Sequence, residues 1–136
     1  MKRFSTAIWS GSGKDGTGLV SSQTKMIDNQ PYTFYSRFSD EQGTNPEELL
    51  AAAHASDFTM KLSFVLDGEG YTPERLETVS FITIENGAII SSHLVIKILV
   101  EGIGESALKK CIKEAECNCL IGRALNILTT SELLMS

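Results

Sequence analysis

The sequence predicts an α+β fold in a single domain, and three observations support this prediction. Short alternating segments separated by turn residues fill the first third of the 136 residues. A long, mostly apolar stretch with helix-start signals follows, up to about residue 66. Two later alternating segments meet at Asn86-Gly87, a pair typical of β-hairpin turns. The predicted order over residues 1–136 is β-β-β-α-β-β-α-α-β.

The first three strands are predicted to form a meander. Residues 4–9 extend towards a glycine-rich reversal at 11–18, residues 19–27 form the second strand, and residues 32–37 alternate in a third. The glycine-rich reversal lacks the Walker pattern, so its sequence gives little support for phosphate binding.

The central helix has the clearest start signals. Asn45 can cap exposed N–H groups, Pro46 suits the first helical position, and Glu47 and Glu48 favour the positive end of the helix dipole. The polar side of this helix is narrow, and apolar residues cover most of its circumference. We therefore expect it to be buried, either by the rest of this small domain or by a second subunit.

The second half of the chain contains the remaining predicted elements. Leu108, Cys111, Ile112 and Ala115 lie at core spacing within the second helix, and Cys117-Asn118-Cys119 interrupts it. The predicted elements are strands at 75–85 and 88–101, a helix at 105–116, a short helical piece through Leu125, and a final strand at 126–134.

Composition and charge exclude several functions. The net charge of −5 and the absence of large Lys/Arg clusters argue against a nucleic-acid partner. No apolar run approaches the ~18 residues of a membrane span, and the N-terminus does not resemble a signal peptide, so we expect a cytoplasmic protein without a membrane partner. Three cysteines form no disulfide framework and should be reduced thiols. A zinc site built from His54, His93, Cys117 and Cys119 matches no compact motif, so no metal or other cofactor is expected.

Asp57 is the unusual residue of the central helix, because a helical wheel places it within the apolar arc. A buried carboxylate must be paired, protonated or beside a cavity. The spacing alone favours a pair with Lys61, one turn later. From its position in the sequence alone, Arg37 is expected to be a surface residue and Cys119 a buried thiol. A helix N-terminus beside Cys117 or Cys119 would lower the pKa of that thiol and make it more reactive.

Three stretches together resemble the OsmC branch of the OsmC/Ohr family (osmotically inducible protein C and organic hydroperoxide resistance proteins). They are Gln30-Pro31-Tyr32, Arg37-Phe38, and the segment from Gly43 to Ala55. The family's attacking cysteine follows the motif seen here as His54-Ala55-Ser56, so the resemblance assigns its position to Asp57. The resolving cysteine matches Cys119, without the proline and serine of the family's motif. The activating arginine and glutamate match Arg37 and Glu47.

The resemblance also implies an assembly and an activity. Family members are intertwined homodimers with the long helix buried, and they act in the stress response by reducing hydroperoxides with an external dithiol. A carboxylate lacks the polarisable sulfur that attacks the peroxide, so we expect peroxidase activity to be lost or reduced here.

Three alternatives remain open at this stage. Redox chemistry could run through Cys119 with Cys117, where an external dithiol would still be needed. The chain could instead be a binding or regulatory protein that accepts a small hydrophobic hydroperoxide or an acyl ligand. Glu47 and Asp57 could also act as an acid–base carboxylate pair.

Overall fold

The structure is a computed structural model, and it describes residues 1–134. The chain forms two compact units, one comprising Met1–Leu49 and a second that begins at Leu50. Both contain β-structure, and the long helix begins in the first unit and continues in the second. Within the described residues, no helix has the length and apolar character needed to cross a membrane. The single-domain organisation stays a prediction.

The first unit contains a three-stranded antiparallel meander, as the turn signals predicted. Its strands are β1 (Ser5–Ser10), β2 (Thr17–Ser22) and β3 (Gln30–Tyr32), in that order across the sheet. The Trp9 and Tyr32 rings, with centroids 5.4 Å apart, cover Gly18. A Cβ at Gly18 would lie 2.5 Å from the Tyr32 ring, which explains why this strand position carries glycine.

The predicted third strand at residues 32–37 is wrong, because β3 ends at Tyr32 and Tyr35–Arg37 forms a 3-10 turn. Local hydroxyl bonds explain the turn: the Thr33 N–H donates to Ser36 Oγ over 2.9 Å, and the Ser36 N–H donates to Thr33 Oγ1 over 3.0 Å. Such side-chain bonds compete with the ladder that an extended strand would need.

The second unit follows the predicted order, which confirms the α+β class. The hairpin turns at Asn86 and Gly87, whose φ angles of 51° and 75° suit this tight connection. The three strands form one sheet in the order β4-β5-β6, antiparallel between β4 and β5 and parallel between β5 and β6. The elements are α1 (Pro46–Gly68), β4 (Arg75–Glu85), β5 (Ala88–Leu99), α2 (Glu105–Asn118), α3 (Leu120–Ala124) and β6 (Leu128–Leu133).

The start of α1 forms as its sequence predicts. The Glu48 N–H donates to Asn45 Oδ1 over 2.7 Å, so Asn45 caps the first turn. One face of α1 then packs in the core of the second unit, whose fully buried large residues are Phe58, Leu62, Leu66, Leu94 and Ile96.

The rest of α1 is less buried than predicted. Met60 is 57% exposed and Phe64 is 68% exposed, although both belong to the broad apolar arc. The second unit therefore does not wrap the whole helix.

Candidate functional site

Arg37 and Glu47 form an ion pair in the first unit. Arg37 Nε lies 2.7 Å from Glu47 Oε1, and the Glu47 side chain is only 15% exposed. The elements that carry the two residues are tied together, because Ser36 Oγ donates to the Thr44 carbonyl over 2.8 Å. Within the described residues, Glu47 is the only carboxylate that Arg37 contacts, and it does so through Nε. The terminal N–H groups of the guanidinium remain able to bind an oxygen or an anion.

Asp57 contacts the backbone at the start of α3 in the second unit. Its Oδ2 accepts a hydrogen bond from the Ile121 N–H over 2.8 Å, between residues 64 positions apart in the chain. Cys119, the N-cap residue of α3, makes no capping hydrogen bond through its side chain. A half-buried carboxylate is thus stabilised by a backbone donor of a neighbouring helix.

The ion pair with Lys61, which the spacing favoured, does not form among the described residues. A backbone N–H at a helix start serves the same electrostatic purpose without desolvating a second charged side chain. The burial problem that Asp57 posed in the sequence is therefore solved by tertiary structure rather than by its own helix.

The Cys119 thiol lies beside Asp57 and is 1% exposed. Burial raises the pKa of this thiol, the Gly122 backbone N–H opposes that change, and the charge of Asp57 and its hydrogen bond with the thiol raise the pKa further. These effects together disfavour the thiolate form of Cys119. Cys117, two residues earlier, is an exposed free thiol.

His54 begins a buried row of hydrogen-bonded polar side chains next to Asp57 and Cys119. Its Nδ1 lies 2.6 Å from Ser92 Oγ, which lies 3.0 Å from Ser80 Oγ. Burial lowers the pKa of His54, although the charges of Asp57 and Glu116 oppose this effect. The buried Nε2 has no hydrogen-bond partner among residues 1–134. A proton on Nε2 would be an unpaired buried donor, so the surroundings favour the neutral tautomer in which Nδ1–H donates to Ser92.

Gly122 makes the close packing of these groups possible. A Cβ at this position would lie 2.7 Å from Cys119 Sγ and 3.2 Å from His54 Nε2. Cys119 Sγ and His54 Nε2 therefore both lie within 3.2 Å of the position that a Cβ of residue 122 would occupy, and only glycine leaves this position empty. The contact brings α3 against α1 at the level of His54 and Asp57.

The described cavities do not open onto Asp57 in this unit. A groove of about 710 Å³ runs between α1 and β4, and its lining includes Ser56, Thr59, Met60 and Thr78. These helix positions lie on a different side of α1 from Asp57 and His54. Among the described residues, no cluster of three or more His, Cys, Asp or Glu side chains is arranged to hold a metal ion.

Comparison with known proteins identifies the family. The family described as OsmC-like protein matches residues 39–132. Peroxiredoxin OsmC of Escherichia coli (strain K12) is 37% identical over 123 residues, which cover 88% of this chain and 86% of that protein. The chain belongs to the OsmC family.

Solved structures of OsmC-like proteins share the fold. An OsmC-like protein from Mycoplasma pneumoniae has a TM-score of 0.77 at 12% identity, covering 98% of this chain and 96% of the other. The organic hydroperoxide resistance protein OhrB of Bacillus subtilis has a TM-score of 0.71 at 18% identity, covering 96% and 98%. The OsmC-like architecture predicted from the sequence is thereby confirmed.

The structure brings the predicted OsmC site residues together in two pairs. Arg37 contacts Glu47 in the first unit, and Asp57 contacts Cys119 in the second. Sequence reasoning missed His54 as a neighbour of Cys119, because it considered this residue only as a candidate metal ligand and as part of the family motif. A signal was available, since His54 precedes Asp57 by three positions and the two therefore share a helix face. Gly122 carried no signal of its own.

Proposed function

We propose that this OsmC-family stress protein carries Asp57 in place of the family's attacking cysteine, and that its thiol peroxidase activity is lost or much reduced. The observation that carries the proposal is the hydrogen bond of 2.8 Å between Asp57 Oδ2 and the Ile121 N–H. This carboxylate has a stable partner in the resting protein and contains no sulfur to accept an oxygen atom from a hydroperoxide.

Cys119 is poorly suited to take over the reaction. Attack on a peroxide needs a thiolate, whereas burial and the charge of Asp57 both raise the pKa of this thiol. The sulfur is also 1% exposed, so a hydroperoxide has little access to it. These facts disfavour the alternative in which redox chemistry runs through Cys119 and Cys117. An external dithiol reductant is needed only if that alternative holds.

The Arg37–Glu47 pair supports a second candidate function, the binding of a small hydroperoxide or acyl ligand without turnover. Glu47 orients Arg37 through Nε, and the remaining guanidinium donors suit a polar oxygen. Phe34 and Phe38, close to Arg37 in the sequence, pack with ring centroids 5.4 Å apart, and Phe38 is 63% exposed, so this segment also presents apolar surface. An acid–base role for Glu47 with Asp57 has no such supporting observation.

We further propose a cytoplasmic homodimer. The exposed Met60 and Phe64 on α1 support a subunit interface, because exposed aromatic and Met side chains on a core helix are stabilised by a covering partner. Three free cysteines, without disulfides, are consistent with a reducing compartment.

The test compares peroxide reduction by the wild-type chain and by Asp57→Cys, with an alkyl hydroperoxide and a dithiol reductant. We expect negligible turnover by the wild type and measurable turnover by Asp57→Cys. Asp57→Ser is the matched control, because it removes the carboxylate without adding sulfur and should stay inactive. Efficient wild-type turnover would contradict the proposal, and Cys→Ser replacement at all three cysteines would show whether that turnover depends on a thiol. Inactivity of Asp57→Cys would instead favour the ligand-binding candidate, which equilibrium binding of an alkyl hydroperoxide to wild type and Arg37→Ala would then test.

A further inference from the structure

The Asp57 carboxylate has the shape of an oxidised cysteine. In aspartate, Cβ carries a carbon with two oxygens that share one negative charge. In the sulfinic form of cysteine, Cβ carries a sulfur with two oxygens that also share one negative charge. A reduced cysteine at this position would present only the sulfur, which corresponds to Asp57 Cγ and lacks the outer oxygens.

The contact that Asp57 makes depends on one of those outer oxygens. Oδ2 accepts the hydrogen bond from the Ile121 N–H over 2.8 Å, and this amide belongs to the first turn of α3. A bare thiol would end about 1.2 Å short of that oxygen, because it lacks the C–O bond. It would also be a much weaker acceptor than an anionic oxygen.

We propose that Asp57 is a permanent mimic of the sulfinic form of the family's cysteine, and that it holds α3 against α1 whether or not a peroxide is present. The inference rests on the proposed function, because it takes position 57 as that of the attacking cysteine. The surroundings fit an anion at this place: the Ile121 N–H donates to Asp57 Oδ2, and Gly122 lets the start of α3 approach. The protein then keeps permanently the arrangement that a sulfinic cysteine at position 57 would give. The surface of α3 stays the same whether or not peroxide is present.

Hydrogen exchange of the Ile121 amide, followed by NMR, tests this inference. The parent is Cys119→Ser, which prevents a disulfide with a new thiol at position 57. The variant is Asp57→Cys in that background, measured first reduced and then after peroxide treatment. Each of two hydrogen peroxide molecules transfers one oxygen to the sulfur and leaves as water, which gives the sulfinic acid. The parent treated with the same peroxide controls for oxidation of Cys111 and Cys117.

We expect the reduced variant to exchange Ile121 roughly ten- to a hundred-fold faster than the parent, because it loses a charge-assisted hydrogen bond. Oxidation to the sulfinic form, verified by mass spectrometry, should return the rate to near that of the parent. The inference is overturned if the reduced variant exchanges as slowly as the parent, or if the sulfinic form exchanges as fast as the reduced one.

A second variant guards against misfolding of the first. Asp57→Ser in the otherwise wild-type chain also lacks the outer oxygens of the carboxylate, and it should also accelerate exchange at Ile121. An unchanged rate there would overturn the inference as well. The result is separable from the proposed function, because peroxide turnover by the wild type would contradict the latter without altering the exchange rate of Ile121.

Discussion

Replacement of Gly122 by alanine tests the close contact between α3 and α1. The new Cβ would lie 2.7 Å from Cys119 Sγ and 3.2 Å from His54 Nε2, and both of these side chains are fully buried. Forcing a methyl group into a filled core costs about 1–3 kcal/mol. The better helix propensity of alanine returns up to about 1 kcal/mol. Because neither neighbour can move into solvent, we expect a net loss of about 1–2 kcal/mol in the free energy of unfolding.

Gly68→Ala is the matched control, since this residue is also a helical glycine. A Cβ at Gly68 meets nothing within 4 Å, so this variant should gain about 0.4–1 kcal/mol. Urea unfolding followed by far-UV circular dichroism measures both free energies. In the Cys119→Ala background the cost of Gly122→Ala should fall, because the closest contact is gone. Equal stability of Gly122→Ala and wild type would refute the described packing of α3.

Three further predictions concern the thiols, the histidine and the interface. Cys117 should react with iodoacetamide well before Cys119, whose burial and raised pKa protect it; equal rates by mass spectrometry would contradict this. Burial lowers the pKa of His54 in the folded chain, so the stability it contributes is present above about pH 6.5 and is lost as the pH falls through the folded-state pKa. Urea unfolding across that pH range should show a smaller loss in the free energy of unfolding for His54→Gln than for the wild type. An identical pH dependence in the two proteins would count against His54 as its source. Phe64→Glu should shift the mass measured by light scattering from dimer to monomer, whereas a wild-type monomer would remove the basis for the homodimer.

Local signals in the sequence predicted the elements whose causes are local. The cap at Asn45 and the hairpin turn at Asn86-Gly87 each form through residues within a few positions of each other. The 3-10 turn at Tyr35–Arg37 escaped prediction, because alternation at residues 32–37 suggested a strand while hydroxyl bonds from Thr33 and Ser36 favoured a turn. Periodicity does not weigh these competing bonds.

The central helix shows a second limit of sequence reasoning. Its apolar circumference correctly indicated that α1 is a core element, and Phe58 and Leu62 are fully buried. The same pattern predicted burial of Met60 and Phe64 as well, yet both are exposed in the single chain. An apolar pattern indicates that a helix surface is buried away from water, but it does not indicate which molecule buries it.

Family resemblance supplied the candidate site where local patterns could not. It selected Arg37 and Glu47, which the structure joins, and Asp57 and Cys119, which it also joins. Spacing alone had favoured Lys61 as the partner of Asp57, because helical neighbours are the only partners visible in a sequence. The Ile121 amide lies 64 positions from Asp57 and belongs to the backbone, so no pattern of side chains in the sequence indicates this contact.

Asp57 and Gly122 are coupled through the position of α3. A carboxylate on α1 is tolerable only if a donor comes within hydrogen-bonding distance, and the Ile121 N–H does so at 2.8 Å. That approach brings the next residue of α3 to a place where a Cβ would lie 2.7 Å from Cys119 Sγ. A serine at position 122 would add both a Cβ and a hydroxyl there. Gly122→Ser should therefore weaken the Asp57–Ile121 hydrogen bond, so the carboxylate and the glycine depend on each other through the position of α3.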